Sequence, residues 1–167
     1  MNIILSGFMG SGKTTLSVLL ASKLDMKYVD VDDYIQRKSG MSVQQIFELY
    51  GEKRFREIES EVCVELSKLD NYVIATGGGT ILSSDNVRAL KTNGKIVFLD
   101  VSVDTVLRRL HNDNSRPLLN TGDKEDAVTE LLEGRLPIYK SAADICFDAN
   151  SDDTNEKCDR LIAQLGL

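Results

Sequence analysis

The run Gly7-Phe8-Met9-Gly10-Ser11-Gly12-Lys13-Thr14 spaces its glycines, lysine and hydroxyl residue as G-x-x-x-x-G-K-[ST], a pattern suited to holding a chain of phosphates. The glycines permit a tight concave turn whose backbone N–H groups converge on phosphate oxygens. A helix beginning at the end of the loop adds the positive end of its dipole. Lys13 then reaches the β- and γ-phosphates, and the Thr14 hydroxyl ligates Mg²⁺. The phosphate-facing set is Gly10, Ser11, Gly12, Lys13, Thr14 and Thr15, and the chemistry is that of an enzyme handling a nucleoside triphosphate.

Asp30, Asp32 and Asp33 follow the short apolar stretch Tyr28-Val29, where a strand would deliver carboxylates to the phosphate loop. If the chain is still extended there, Asp30 and Asp32 share one side and Asp33 points away. The first two then suit a magnesium site and a general base, whereas the plainer alternative is that Asp32 or Asp33 caps a helix around Tyr34 to Lys38. Arg56 and Glu59 stand three apart on a helix whose apolar stripe runs through Phe55, Ile58 and Val62, and a surface salt bridge is the plainer reading of that pair. In Thr76-Gly77-Gly78-Gly79 three glycines exceed what a turn needs, so they let backbone approach an anionic or hydroxylated molecule and offer it N–H donors. Arg116 and Arg135 complete the cations, and each alone looks like a solvated surface arginine.

These residues need a scaffold, and the apolar pattern supplies one. Ile3-Ile4-Leu5, Tyr72-Val73-Ile74-Ala75 and Ile96-Val97-Phe98-Leu99 are unalternating runs, as strands buried on both faces of a parallel sheet read. Tyr28-Val29 and Ile145-Cys146-Phe147 are weaker runs of the same kind. Helical stripes lie between them: Leu16, Leu19, Leu20 and Leu24; Phe55, Ile58, Val62, Leu66 and Leu69; Val103, Val106, Leu107 and Leu110. Arg135 falls in a helical stretch from Leu131 to Leu136, before Pro137. Alternation of strands and helices predicts an α/β fold with right-handed crossovers and ligands beyond the carboxyl ends of the strands. His111 to Asp126 is polar and irregular and reads as a long surface loop.

The composition narrows the function classes. A chain of 167 residues suits one domain, and a net charge of −6 lacks the basic footprint of a protein that coats nucleic acid. Three cysteines without CxxC spacing suggest neither a disulfide framework nor a zinc site, and they fit a reducing cytoplasm. The N-terminal Met1 to Leu5 reads as a strand rather than a leader, and no run approaches the eighteen or so apolar residues of a membrane span. His111 reads as a solvated residue near a helix end rather than a catalytic one.

The phosphate loop, Asp30-Val31-Asp32, Phe55-Arg56-Glu57-Ile58-Glu59, Gly77-Gly78-Gly79, Arg116-Pro117-Leu118-Leu119 and Arg135-Leu136-Pro137-Ile138-Tyr139, in that order and over nearly the whole chain, closely resemble the shikimate kinase family. The resemblance implies a P-loop kinase fold of the nucleoside-monophosphate-kinase type, with a five-stranded parallel sheet flanked by helices, a substrate-binding helical region and a lid over about residues 112–124. It implies transfer of the ATP γ-phosphoryl group to the 3-hydroxyl of shikimate, with ATP as co-substrate, Mg²⁺ as cofactor and a monomer as the working form. Lys13 would hold phosphate, with Thr14 and Asp30 supporting Mg²⁺. Asp32 would contact the shikimate hydroxyls and act as the base. Arg56 and Arg135 would clamp the carboxylate, Glu59 would orient Arg56, and Gly78, flanked by Gly77 and Gly79, would give a backbone contact. Arg116 would come down with the lid, and Arg109 would stack on adenine. The segment Asn150 to Thr154, at the place of the adenine loop, lacks the arginine and proline that many relatives carry.

Two other readings stay open on the sequence. One is another acceptor on the same fold, such as gluconate or a nucleoside monophosphate. The other is a nucleotide-binding domain without chemistry, against which Lys13, Thr14, Asp30, Asp32 and Arg116 all argue. A GTPase is disfavoured, since Ser67-Lys68-Leu69-Asp70 lacks the asparagine of a guanine signature.

Overall fold

The computed structural model describes residues 1–111 and 124–167. Its centre is a parallel sheet in the order β2-β3-β1-β4-β5, formed by β1 (Asn2–Gly7), β2 (Lys27–Asp30), β3 (Tyr72–Ala75), β4 (Gly94–Asp100) and β5 (Ile145–Asp148). Ile4 sits between Ile74 and Ile96 in register, and Tyr28 pairs with Val73. Ile3, Ile4, Leu5, Val73, Ile74, Ile96, Val97 and Phe98 are buried, which accounts for the unalternating runs: helices cover both faces, so neither face needs polar side chains. The five strands are those the apolar pattern marks, including the two weaker ones.

The helices are α1 (Lys13–Lys23), α2 (Val31–Ser39), α3 (Val43–Leu66), α4 (Ser84–Lys91), α5 (Val103–Leu110), α6 (Lys124–Ala142) and α7 (Thr154–Leu165), with a 3₁₀ turn at Thr80–Leu82. Three boundaries differ from the sequence reading. The stripe through Phe55 to Leu66 belongs to a longer helix that starts at a capping box, where Ser42 and Gln45 bond each other's backbone N–H. Gly51, at φ 82°, kinks it into two segments. Helix α6 does not stop before Pro137 but runs through it. A proline there removes one N–H to the carbonyl four residues back, and the packing of Val128, Leu132 and Tyr139 holds the helix across the gap. The surface loop expected to reach Asp126 gives way to this helix at Lys124.

The expected lid over about 112–124, with Arg116, Leu118 and Leu119, lies outside the described residues except for Lys124 itself. Among the described residues no helix is long and apolar enough to cross a membrane.

The strand order has a direct consequence. The phosphate loop leaves the central strand β1, the three glycines leave its neighbour β3, and the acids leave β2 one strand further out. All three segments emerge at the same carboxyl edge, the edge at which parallel α/β sheets bind ligands.

Candidate active site

Gly10 and Gly12 take left-handed backbone angles, φ 77° and 83°, which an L side chain adopts only with strain. They bend the loop into a cup that ends with Gly12 capping α1. The Ser11 N–H donates to the Phe8 carbonyl at 3.1 Å, closing the turn. Lys13 opens α1, and its ammonium donates to the Gly7 carbonyl at 2.6 Å. The lysine is thereby laid along the cup rather than out into solvent.

The acids are arranged differently from the extended-chain expectation. Helix α2 begins at Val31, directly after β2, so Asp30 is its N-cap and accepts from the Asp33 N–H at 3.0 Å. The cap is therefore Asp30, neither Asp32 nor Asp33. Asp32 lies in the first turn of α2, aimed into the cavity, and its buried Oδ1 has no hydrogen-bond partner among the described residues. Burial pushes the Asp32 carboxyl up to about 6, helped by the like charges of Asp30 and Glu59 and opposed by Lys13 and Arg56. Burial also raises Asp30, against the stabilising N–H of Asp33.

The three glycines form a floor on which charged side chains rest. A Cβ on Gly77 would stand 3.0 Å from Asp32 Oδ1, one on Gly78 would stand 3.5 Å from a guanidinium nitrogen of Arg135, and one on Gly79 would collide with both terminal nitrogens of Arg56, at 2.6 and 2.7 Å. None of the three has a positive φ, so closeness and not backbone conformation is what excludes a side chain. Sequence reasoning read these glycines as making room for a bound molecule, and the structure gives each a protein neighbour as well.

The Arg56–Glu59 pair is more than a surface salt bridge. Arg56 donates to Glu59 at 2.9 Å, and Glu59 is only 1% exposed. Its other oxygen accepts from the Thr80 hydroxyl at 2.8 Å, while Asn86 donates to the Thr80 carbonyl at 3.0 Å. This chain of bonds ties the α3 arginine to the glycine floor. Tyr139 does the same for Arg135: it is fully buried, stacks on Phe98 with ring centres 5.1 Å apart, donates to the Gly78 carbonyl and stands close enough to Arg135 for the guanidinium charge to act on its hydroxyl. Thr80 carries no sequence signal for this supporting position. Tyr139 sits four residues beyond Arg135, one helical turn away, which is a usable signal.

A cavity of about 440 Å³ is lined by Gly10 to Thr15 on one side and by Asp30, Asp32, Gly77, Gly78, Gly79 and Arg135 on the other. Arg56 borders it through Gly79. Thr14 and Asp30 line the same cavity, and among the described residues no group of three or more His, Cys, Asp or Glu could hold a metal ion unaided.

Arg109 is set apart. Its guanidinium donates to the carbonyls of Gly10, Ala149, Asn150 and Ser151 at 2.8–3.0 Å and to Asp152 at 3.2 Å, clamping the loop after β5 to the phosphate loop. With Gly10, Gly12, Thr15, Asp152, Thr154 and Lys157 it lines a second cavity, of about 340 Å³.

Comparison with known proteins identifies the family. A family model of shikimate kinases matches residues 9–166. The shikimate kinase of Caldicellulosiruptor bescii is 47% identical over 151 residues, covering 90% of this chain and 86% of that protein. That of Thermodesulfovibrio yellowstonii is 40% identical over 163 residues, covering 98% and 94%. The structure of shikimate kinase from Acinetobacter baumannii in complex with shikimate superposes with a TM-score of 0.90 at 36% identity, over 98% of this chain and 92% of that one. A phosphate cup and an arginine–aspartate cluster on one sheet edge, in a chain this similar throughout, leave one conclusion: the chain belongs to the shikimate kinase family.

Proposed function

We propose a division of labour among the residues of this site for the family's reaction, in which ATP phosphorylates the 3-hydroxyl of shikimate to give shikimate 3-phosphate and ADP. The chain is an ATP-dependent kinase of the shikimate pathway, on the route to aromatic amino acids. The observation that carries the residue assignment is the single cavity in which Asp32 and Arg135 face the phosphate loop across the glycine floor.

On the donor side the loop N–H groups and Lys13 hold the β- and γ-phosphates. The Thr14 hydroxyl and the Asp30 carboxylate would hold Mg²⁺, which suits an ion normally bound by one or two protein groups together with phosphate oxygens and water. Asp30 keeps one oxygen for this role while the other caps α2. When bound, the ion neutralises phosphate charge.

On the acceptor side a compact hydroxylated acid needs cations for its carboxylate and an acceptor for its hydroxyl protons. Arg135 and Arg56 supply the first, each braced from behind, by Tyr139 and by Glu59. Asp32 supplies the second. A carboxyl titrating near 6 is ionised at neutral pH yet more basic than an ordinary one, as a proton acceptor should be. Arg116, expected to meet the phosphates from the lid, lies outside the described residues. A monomer acting on small molecules is the working form assigned to the chain. Three free cysteines and ATP as co-substrate support the cytoplasm.

A coupled assay of ADP release with shikimate, gluconate and several nucleoside monophosphates tests the acceptor, and turnover that does not depend on shikimate would overturn the assignment. Arg135→Ala should raise the KM for shikimate by roughly 10- to 100-fold, the cost of a charge-assisted bond, with a smaller change in kcat. An unaltered KM removes Arg135 from the clamp. Gly79→Ala tests the floor: the new methyl group pushes the Arg56 guanidinium off Glu59 while the fold accommodates it, since the clashing atoms end a flexible side chain. The KM for shikimate should again rise roughly tenfold or more, and the thermal midpoint should fall, because Glu59 is left buried with one oxygen unpaired. Wild-type KM in this variant would show that Arg56 does not need its observed position.

A further inference from the structure

Lys157 stands in the second turn of α7, is 4% exposed and lines the second cavity. Its ammonium lies 3.4 Å from where a Cβ on Gly12 would be, which puts it against the outer wall of the phosphate loop. Among the described residues it makes no hydrogen bond or salt bridge, although Asp152 and Glu156 are near enough to favour its charge and Arg109 and Arg160 to oppose it. Asp152 is instead committed to Arg108 and Arg109. Burial is the main influence on this amine, and it holds the group below the ordinary lysine range.

An ammonium that no described residue pairs, opening onto a cavity beside the phosphate loop, suits a bound anion better than a neutral ring. The two cavities share Gly10, Gly12 and Thr15 and so lie on two sides of one loop. The first holds the acceptor groups, so a nucleotide whose γ-phosphate faces Asp32 must carry its nucleoside end toward the second. The phosphate passing between them on that side is the α-phosphate.

We infer that Lys157 binds the α-phosphate of the nucleotide, as a charged donor contributed by α7 from outside the phosphate loop. The inference rests on the reading of the loop as the ATP site. Lysine suits the place as a compact point charge with three donors, whereas the planar arginine already present, Arg109, is consumed in clamping carbonyls.

Titration calorimetry with ADP, and steady-state kinetics with inorganic tripolyphosphate as a competitor of ATP, test this on wild type and Lys157→Met. Methionine keeps the stem and removes the charge, so the thermal midpoint should hold or rise. ADP affinity should fall roughly 10- to 100-fold, the tripolyphosphate Ki should rise by a similar factor, and the KM for ATP should rise while kcat and the KM for shikimate stay near wild type. Weakened ADP with unchanged tripolyphosphate would make Lys157 a contact of the nucleoside and overturn the inference, as would unchanged binding of both. Wild-type protein that fails to bind ADP would instead overturn the nucleotide site itself. Wild-type protein that binds ADP without turning over shikimate would overturn only the acceptor assignment.

Discussion

Asp32→Asn is expected to lower kcat on the order of 10²- to 10⁴-fold while ADP binding stays within a few-fold of wild type. The size follows from position. Asp32 faces the phosphate loop across the cavity, rests on Gly77 and has a buried oxygen that no described residue satisfies. A carboxylate kept in that state is costly, and the amide retains its shape while losing its basicity. The same substitution should stabilise the metal-free protein. Burial raises the folded-state carboxyl from 3.8 to about 6, so between those values the folded state holds more protons than the unfolded chain. The contribution of Asp32 to stability is thus most favourable in acid, falls as pH rises from about 4 to about 6, and is flat above. The loss is on the order of 2–3 kcal/mol. In buffer with EDTA, Asp32→Asn should melt above wild type at pH 7.5, with the gap closing toward pH 4. Unchanged kcat would remove Asp32 as the proton acceptor, and a lower melting temperature at pH 7.5 would show that its ionised form is not under strain.

That trade of stability for basicity explains which parts of the site the sequence disclosed. The phosphate loop was legible because its chemistry is local: glycines, lysine and threonine act through backbone angles and a helix start that the spacing itself encodes. The central strands were legible because two-sided burial leaves unbroken apolar runs, whereas the edge strands β2 and β5, only partly buried, leave shorter and weaker ones. Asp30 and Asp32 were legible by place and misread in geometry. The chain turns from strand to helix with no intervening loop, so Asp30 is extended as expected but also caps α2, and Asp32 stands in a helical turn where an extended residue was expected.

What remained hidden depends on contacts across long separations. Nothing near Gly79 in the sequence says that the Arg56 guanidinium lies on it, and nothing near Glu59 says that Thr80 satisfies its second oxygen. Nothing near Arg109 in the sequence says that its donors go to carbonyls about forty residues away and to Gly10. Lys157 looks like any polar residue of an amphipathic helix until the fold brings its nitrogen against Gly12. Pairings of this kind are set by strand order, which places β3 between β1 and β2 and so gathers residues from distant parts of the chain.

Lys13→Met should lower kcat on the order of 10²- to 10³-fold, the cost of losing one preorganised donor from a transition state rich in phosphoryl charge. The ammonium already lies along the cup, held by the Gly7 carbonyl at 2.6 Å, so little reorganisation precedes its use on phosphate oxygens. ADP affinity should fall much less than kcat, because the loop N–H groups remain and the charge that Lys13 answers is greatest during transfer. Lys13→Arg should not restore the rate, since a planar fork cannot replace a compact charge inside a cup shaped by Gly10 and Gly12. A kcat within tenfold of wild type would contradict this role. Lys13 and Asp32 act on opposite ends of the same transfer and influence each other's charge. The Asp32→Asn, Lys13→Met double variant should therefore lose far less than the product of the single losses, because once either end fails the other has little transition state left to stabilise.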